Sequence, residues 1–193
     1  MVSDKKNSED NNLAKKELRV RYKEASKAYL QSPSISSAIV ENLIKILPQN
    51  CTIGAFRHLS DEPCLDSLFD NTDFRFAFPR LSQNQMCFYV PNVNSDFEMN
   101  EFGISEPVPE SSEVIEAADL QAIIVPALAY DRKLSRLGRG KGYYDRFLSQ
   151  YNGLKIGVCS VVQVSNVDLP VDTHDVAMDV VVTDQFLLRR FDA

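Results

Sequence analysis

Residues 121–148 read QAIIVPALAYDRKLSRLGRGKGYYDRFL, and the order of signals within them decides the fold. Ala122–Val125 is a short apolar run without polar alternation, the pattern of a strand buried on both faces of a sheet. Pro126 ends it, a charged and glycine-rich stretch follows, and a helix is expected from about Tyr143 to Tyr151. A strand passing through such a loop into a helix belongs to an α/β unit, and ligands of these sheets bind beyond the carboxyl ends of the strands. Three of the chain's seven glycines fall within residues 138–142, at one such end.

The rest of the chain repeats the theme. Thr52–Phe56, Arg75–Phe78, Met86–Val90, Lys155–Ser160 and Met178–Val182 read as further short strands, and Leu65–Phe69 as a short amphipathic segment. A helix is expected from about Leu13 to Leu30, with Asn12 as N-cap and Leu18, Tyr22, Ala25 and Tyr29 as its core stripe. Lys15, Arg19 and Lys23 fall on another face, about 120° away, from which they can reach an anion together. A second helix carries Ile35, Ile39, Leu43, Ile46 and Leu47 and stops at Pro48. The long acidic stretch 91–118 is expected to form a wall or lid of a cleft. The expectation is one α/β domain, residues 12–193, with a mostly parallel Rossmann-like sheet covered by helices on both faces. Residues 1–11 are polar and are expected to be a disordered tail.

The chain has 193 residues, 44% of them hydrophobic, enough for one core without staples. Its four cysteines, Cys51, Cys64, Cys87 and Cys159, form no Cys-x-x-Cys pair and are expected to be free thiols. Residues 1–12 lack a secretory apolar region and no run approaches membrane-spanning length, so a cytoplasmic protein with no membrane partner is expected. The net charge of −6 argues against a surface broadly adapted to nucleic acid. Residues 15–27 and 131–146 each hold six basic and two acidic side chains, leaving nine basic and 23 acidic elsewhere. Two cationic segments on an acidic body suggest a local polyanion site, or two solvated helix faces.

The loop Leu137–Asp145 fits neither common nucleotide pattern: Gly142 stands where a Walker A loop needs Ser or Thr, and Tyr143 where the dinucleotide fingerprint needs glycine. Its physics is nonetheless that of a phosphate cradle. Glycines let backbone N–H groups approach an anion, Arg139 and Lys141 add charge, and the next helix adds its dipole. Asp145, in the first turn of that helix, can serve the dipole or hold Mg²⁺. Spacing alone leaves a tight turn with solvated cations equally open.

The run Val125–Asp131 followed by Arg136–Asp145 and Leu148 resembles the signature of the 5-formyltetrahydrofolate cyclo-ligase family, also called methenyltetrahydrofolate synthetase. Lys15–Arg19, Asp61-Glu62, Pro79-Arg80, Phe102–Pro107, Gln163 with Pro170, His174-Asp175 and Asp179 follow in the family's order. The resemblance implies an ATP- and Mg²⁺-dependent enzyme that converts 5-formyltetrahydrofolate to 5,10-methenyltetrahydrofolate with release of ADP and phosphate. It implies ATP contacts from Lys15, Lys16 and Arg19 and from Arg136, Leu137, Gly138, Arg139, Gly140, Lys141, Gly142, Tyr143 and Tyr144. Arg139 and Lys141 become the catalytic cations. Glu62 becomes the pterin contact, with Arg57, Arg139, Gly140, Lys141, Gly142 and Tyr143 beside the folate, and Asp145 and Asp175 become the Mg²⁺ ligands.

Two residues depart from the family's pattern. Ala127 stands where glycine is usual, and Arg57 occupies a commonly apolar position in the substrate wall. His174 is expected to flank Asp175, while Phe56, Tyr130, Tyr143 and Tyr144 can stack on a ring or serve the core. A folate substrate, no nucleic acid, and a monomer or weak dimer complete the expectations. The alternatives are a non-catalytic nucleotide- or folate-binding module and an RNA-binding protein using the two cationic segments.

Overall fold

The computed structural model describes residues 2–82, 85–92, 97–101 and 103–190, with side chains from residue 11. Met1, residues 83–84, 93–96, Phe102 and residues 191–193 of the stretches discussed above lie outside the described residues. In chain order the elements are α1 (Val2–Tyr29), α2 (Pro33–Ile44), β1 (Thr52–Gly54), α3 (Asp66–Phe69), β2 (Arg75–Ser82), β3 (Gln85–Pro91), β4 (Phe97–Met99), β5 (Ser105–Pro107), β6 (Ser112–Ile115) and β7 (Ala122–Pro126). There follow β8 (Ala129–Asp131), β9 (Arg136–Leu137), α4 (Tyr143–Leu148), β10 (Leu154–Val158), β11 (Val164–Ser165), β12 (Val180–Val182) and β13 (Leu187–Arg189).

Eight strands form the main sheet in the order β13-β12-β10-β7-β1-β2-β3-β6. The five central strands, β12 to β2, run parallel, in register through pairs such as Ile156↔Ile124 and Ile53↔Phe76. Outside them β13 pairs antiparallel with β12, β3 with β2, and β6 with β3. The continuous apolar runs follow from burial on both faces. On β7, Ala122 and Ile124 enter the core beneath α2 and α3, whereas Ile123 and Val125 enter the opposite core beside Leu148 of α4 and Tyr151. Helices thus cover both faces of the sheet.

Starting from β1, the chain adds β2 on one side and later β7, β10 and β12 on the other. The order reverses between β1 and β7, which makes a crevice at their carboxyl ends. A smaller sheet, β11-β8-β9, carries the chain from β7 toward the glycine-rich loop. The 91–118 stretch contains the β4–β5 hairpin. Arg80 of β2 clamps that hairpin, pairing with Glu98 at 2.5 Å and donating to the Pro107 carbonyl at 2.9 Å.

Two expectations for the first helix need correction. The helix starts at Val2, so Asn12 is interior rather than its cap. A helix satisfies its own backbone without an apolar stripe, so the polar composition of residues 2–11 did not reveal it. Its buried side also differs in part: Tyr22 is buried as expected, but Ala25 is exposed while Lys15 and Ser26 are buried. Ser26 donates to the Asp61 carbonyl at 2.6 Å, and Lys15 is buried by ion pairs that hydropathy does not register. Among the described residues no helix is long and apolar enough to cross a membrane.

Candidate active site

A cavity of about 1020 Å³ opens at the switch point. Phe56 and Arg57 enter it from the end of β1, Pro79 and Leu81 from β2, Pro126 and Ala127 from the end of β7, and Ile104–Glu106 from the hairpin. The expected wall from 91–118 is therefore present. The whole run Arg136–Asp145 lines the same cavity, together with Lys15, Arg19, Lys23, Glu62 and Asp175. Of the residues assigned by resemblance, only Lys16 does not line it; its side chain is exposed.

The loop's backbone explains its glycines. Gly140 has φ +94° and Gly142 φ +69°, conformations that cost L-residues strain. A Cβ on Gly140 would also lie 3.2 Å from the Arg19 guanidinium carbon. Arg19 donates from Nε to the Gly138 carbonyl at 2.9 Å, tying α1 to the loop. Gln163 secures the neighbouring wall by donating to the carbonyls of Ala127 and Leu128 at 3.1 and 3.2 Å.

Lys15, Arg136 and Arg139, buried or half-buried in the site, each meet carboxylates. Lys15 Nζ lies 2.7 Å from Asp172 Oδ2 and 2.6 Å from Asp175 Oδ2. Burial pulls the Lys15 pKa down, but hydrogen bonds to the two carboxylates outweigh it and hold the value above normal. Arg136 Nη2 donates to Asp145 Oδ2 at 2.7 Å. Arg139 forms a two-pronged bond to Asp61, Nη1 to Oδ2 at 3.0 Å and Nη2 to Oδ1 at 2.8 Å. It also donates to Glu62 Oε1 from Nε at 3.1 Å and Nη2 at 2.8 Å. Burial opposes the charge on Arg139, and the two carboxylates more than restore it.

Arg57 lines the cavity but does not leave a bare charge there. Its guanidinium lies 5.0, 4.9 and 4.6 Å from the ring centres of Phe69, Phe78 and Phe97 and 3.1 Å from Asp66 Oδ1. Phe56 is buried at the cavity edge, Tyr130 belongs wholly to the core, and Tyr143 and Tyr144 line the cavity. His174 is exposed, with Nε2 3.8 Å from Asp175 Oδ1, so it flanks that carboxylate as expected. The four cysteines are free.

The donor set suits a hard divalent cation, since Asp145 and Asp175 offer oxygen and Asp172 brings a further carboxylate within 4.8 Å of Asp175. Asp145 is not part of that three-residue group, which is Asp172, His174 and Asp175. Asp172 is a site residue the sequence reading did not single out, and Asp61 entered it only as half of the Asp61-Glu62 match, with no role of its own. Their only signal was adjacency, in Asp61-Glu62 and in Asp172-Thr-His-Asp175.

A model of the 5-formyltetrahydrofolate cyclo-ligase family matches residues 14–184. The "Probable 5-formyltetrahydrofolate cyclo-ligase" of Schizosaccharomyces pombe is 40% identical over 115 residues, 53% of this chain and 56% of that protein, so the match spans little more than half of the relative. The 5-formyltetrahydrofolate cyclo-ligase of Mycoplasma pneumoniae is 26% identical over 91% of this chain and 99% of its own. Among solved structures, the 5,10-methenyltetrahydrofolate synthetase of Aquifex aeolicus superposes with a TM-score of 0.77 at 30% identity, covering 95% of this chain and 94% of that one.

Proposed function

The chain belongs to the 5-formyltetrahydrofolate cyclo-ligase family, and from that premise we propose that it converts 5-formyltetrahydrofolate to 5,10-methenyltetrahydrofolate, using ATP and releasing ADP and phosphate. The formyl oxygen attacks the γ-phosphoryl group and ADP leaves. The nitrogen at position ten then attacks the activated carbon, and the oxygen departs with phosphate. ATP is needed because an amide oxygen is a poor leaving group and phosphate a good one.

Catalysis of such a transfer is mainly alignment and charge stabilisation. Lys15, Arg19 and the loop from Arg136 to Tyr144 hold the phosphates, with Arg139 and Lys141 stabilising charge during transfer. Glu62 accepts hydrogen bonds from ring N–H groups of the pterin, and Arg57 stands in the substrate wall. Asp145 and Asp175 would hold Mg²⁺, which neutralises phosphate charge when bound. The family match over residues 14–184 supports reading 12–193 as the cyclo-ligase domain.

The observation that carries this reading is that Arg139 of the glycine-rich loop touches Glu62 inside one cavity, so a phosphate cradle and a pterin acceptor adjoin. Incubation with 5-formyltetrahydrofolate should give methenyl absorbance that rises only with ATP and Mg²⁺; no ATP-dependent rise would sink the reading. Tight folate binding without ATP turnover would instead favour the non-catalytic module, against which the intact loop and Glu62 count.

A further inference from the structure

The two edges of the Arg139 guanidinium are occupied differently. The Nη1/Nη2 edge meets both oxygens of Asp61, whereas the Nε/Nη2 edge converges on the single oxygen Oε1 of Glu62. These contacts take four of the five N–H donors an arginine has. In this arrangement Arg139 has one donor left for a phosphate. A bidentate phosphate contact needs two parallel donors.

The carboxylates are the fixed partners. Asp61 and Glu62 side chains are 3% and 6% exposed, against 31% for Arg139. Ser26 anchors the Asp61 carbonyl, and the turn closes on itself through Glu62 N–H to the Leu59 carbonyl and Leu59 N–H to Glu62 Oε2, both at 2.9 Å. Glu62 Oε1 is therefore the oxygen for which Arg139 and a pterin N–H compete. A buried carboxylate stripped of its partner is costly, so one occupant leaves as the other arrives.

Resting on the proposed cyclo-ligase reading, we propose that Asp61 is a positioning residue that holds the Nη1/Nη2 edge of Arg139 while folate displaces the Nε/Nη2 edge from Glu62 and so presents that edge to the ATP phosphates. Folate binding then prepares the phosphate site, and by linkage each ligand tightens the other by the same factor. Without Asp61, the displaced arginine has no fixed pivot.

Calorimetry tests this with 5-formyltetrahydrofolate and a non-hydrolysable ATP analogue. In the wild type, folate should tighten the analogue by about tenfold, and the analogue should tighten folate equally. Asp61→Asn should reduce that factor toward one while leaving folate affinity alone within about threefold, because Glu62 is intact. Asp61→Glu should restore part of the coupling. Glu62→Gln should weaken folate and let the analogue bind without folate nearly as well as the wild type does with it. An uncoupled wild type, or full coupling in Asp61→Asn, overturns the proposal; so does an equal loss of both ligands in Asp61→Asn and Asp61→Glu. A wild type that binds no 5-formyltetrahydrofolate overturns the cyclo-ligase reading instead.

Discussion

Arg136 and Asp145 flank the glycine-rich loop and are joined through Nη2 to Oδ2 at 2.7 Å, with both side chains largely buried. The bond closes the loop at its base, so the cations between them project from a fixed frame. Removing one member of a buried pair leaves the other charge uncompensated. Arg136→Met should therefore cost about 3 kcal/mol in denaturant unfolding. Arg136→Met combined with Asp145→Asn should cost less than the two single losses added, because neither charge is then orphaned.

Lys141 is exposed at the rim of the cavity, and its removal should leave the core intact. If it stabilises charge only during phosphoryl transfer, Lys141→Ala should lower kcat by about 100-fold with little change in Tm. Steady-state kinetics beside a thermal melt checks this. A rise in KM at constant kcat would make Lys141 a binding residue.

Gly140→Ala should act through the loop and not through the core. The left-handed φ of +94° would cost alanine about 1 to 2 kcal/mol. The new methyl must also push back Arg19, which holds the Gly138 carbonyl. Weaker binding of an ATP analogue, with folate affinity nearly unchanged, is the expected calorimetric result.

Much of this was legible in the residues. Ala122–Pro126 announced a buried parallel strand because neither face needs a polar residue, and the glycine-rich loop announced itself by spacing and charge. The three-residue strands β4, β5 and β8 did not, being too short for any period to show and each carrying a charged residue. The buried side of α1 was misread at Ala25 for a related reason. Lys15 and Ser26 are buried through partners about 35 to 160 residues away in sequence, and no local pattern encodes that. Asp172 escaped notice and Asp61 was given no role on the same ground, since each acts through the cation folded against it.

The Lys15 cluster sets a pH dependence. The Lys15 hydrogen bond holds the Asp172 carboxyl below its ordinary 3.8. A depressed folded-state pKa contributes stability above the unfolded value, and that stability is lost as pH falls through the folded value. Lys15 is raised, so its contribution is complete below its unfolded value near 10.5 and is lost as pH rises through the folded one. The Tm gap between wild type and Asp172→Asn should be widest between about pH 5 and 9 and close as pH drops below about 4. A gap that persists at acid pH would assign it to packing.

Arg57 acts as a latch on the cavity wall. Its guanidinium lies over Phe69 of α3, Phe78 of β2 and Phe97 of the hairpin, and pairs with Asp66. Phe97 belongs to the hairpin whose other strand brings Ser105 and Glu106 to the cavity. Loosening the latch should therefore soften the folate wall without touching the loop cations. Arg57→Leu keeps the wall apolar but loses three ring contacts, together worth about 1 to 2 kcal/mol in this half-exposed setting. The expected result is a lower Tm and a several-fold rise in KM for folate at constant kcat, the mark of binding lost equally in ground and transition states. Arg57→Lys should behave similarly despite its retained charge, because an ammonium cannot stack flat against rings as a guanidinium does. A fall in kcat with unchanged KM would place Arg57 in the phosphoryl transfer itself.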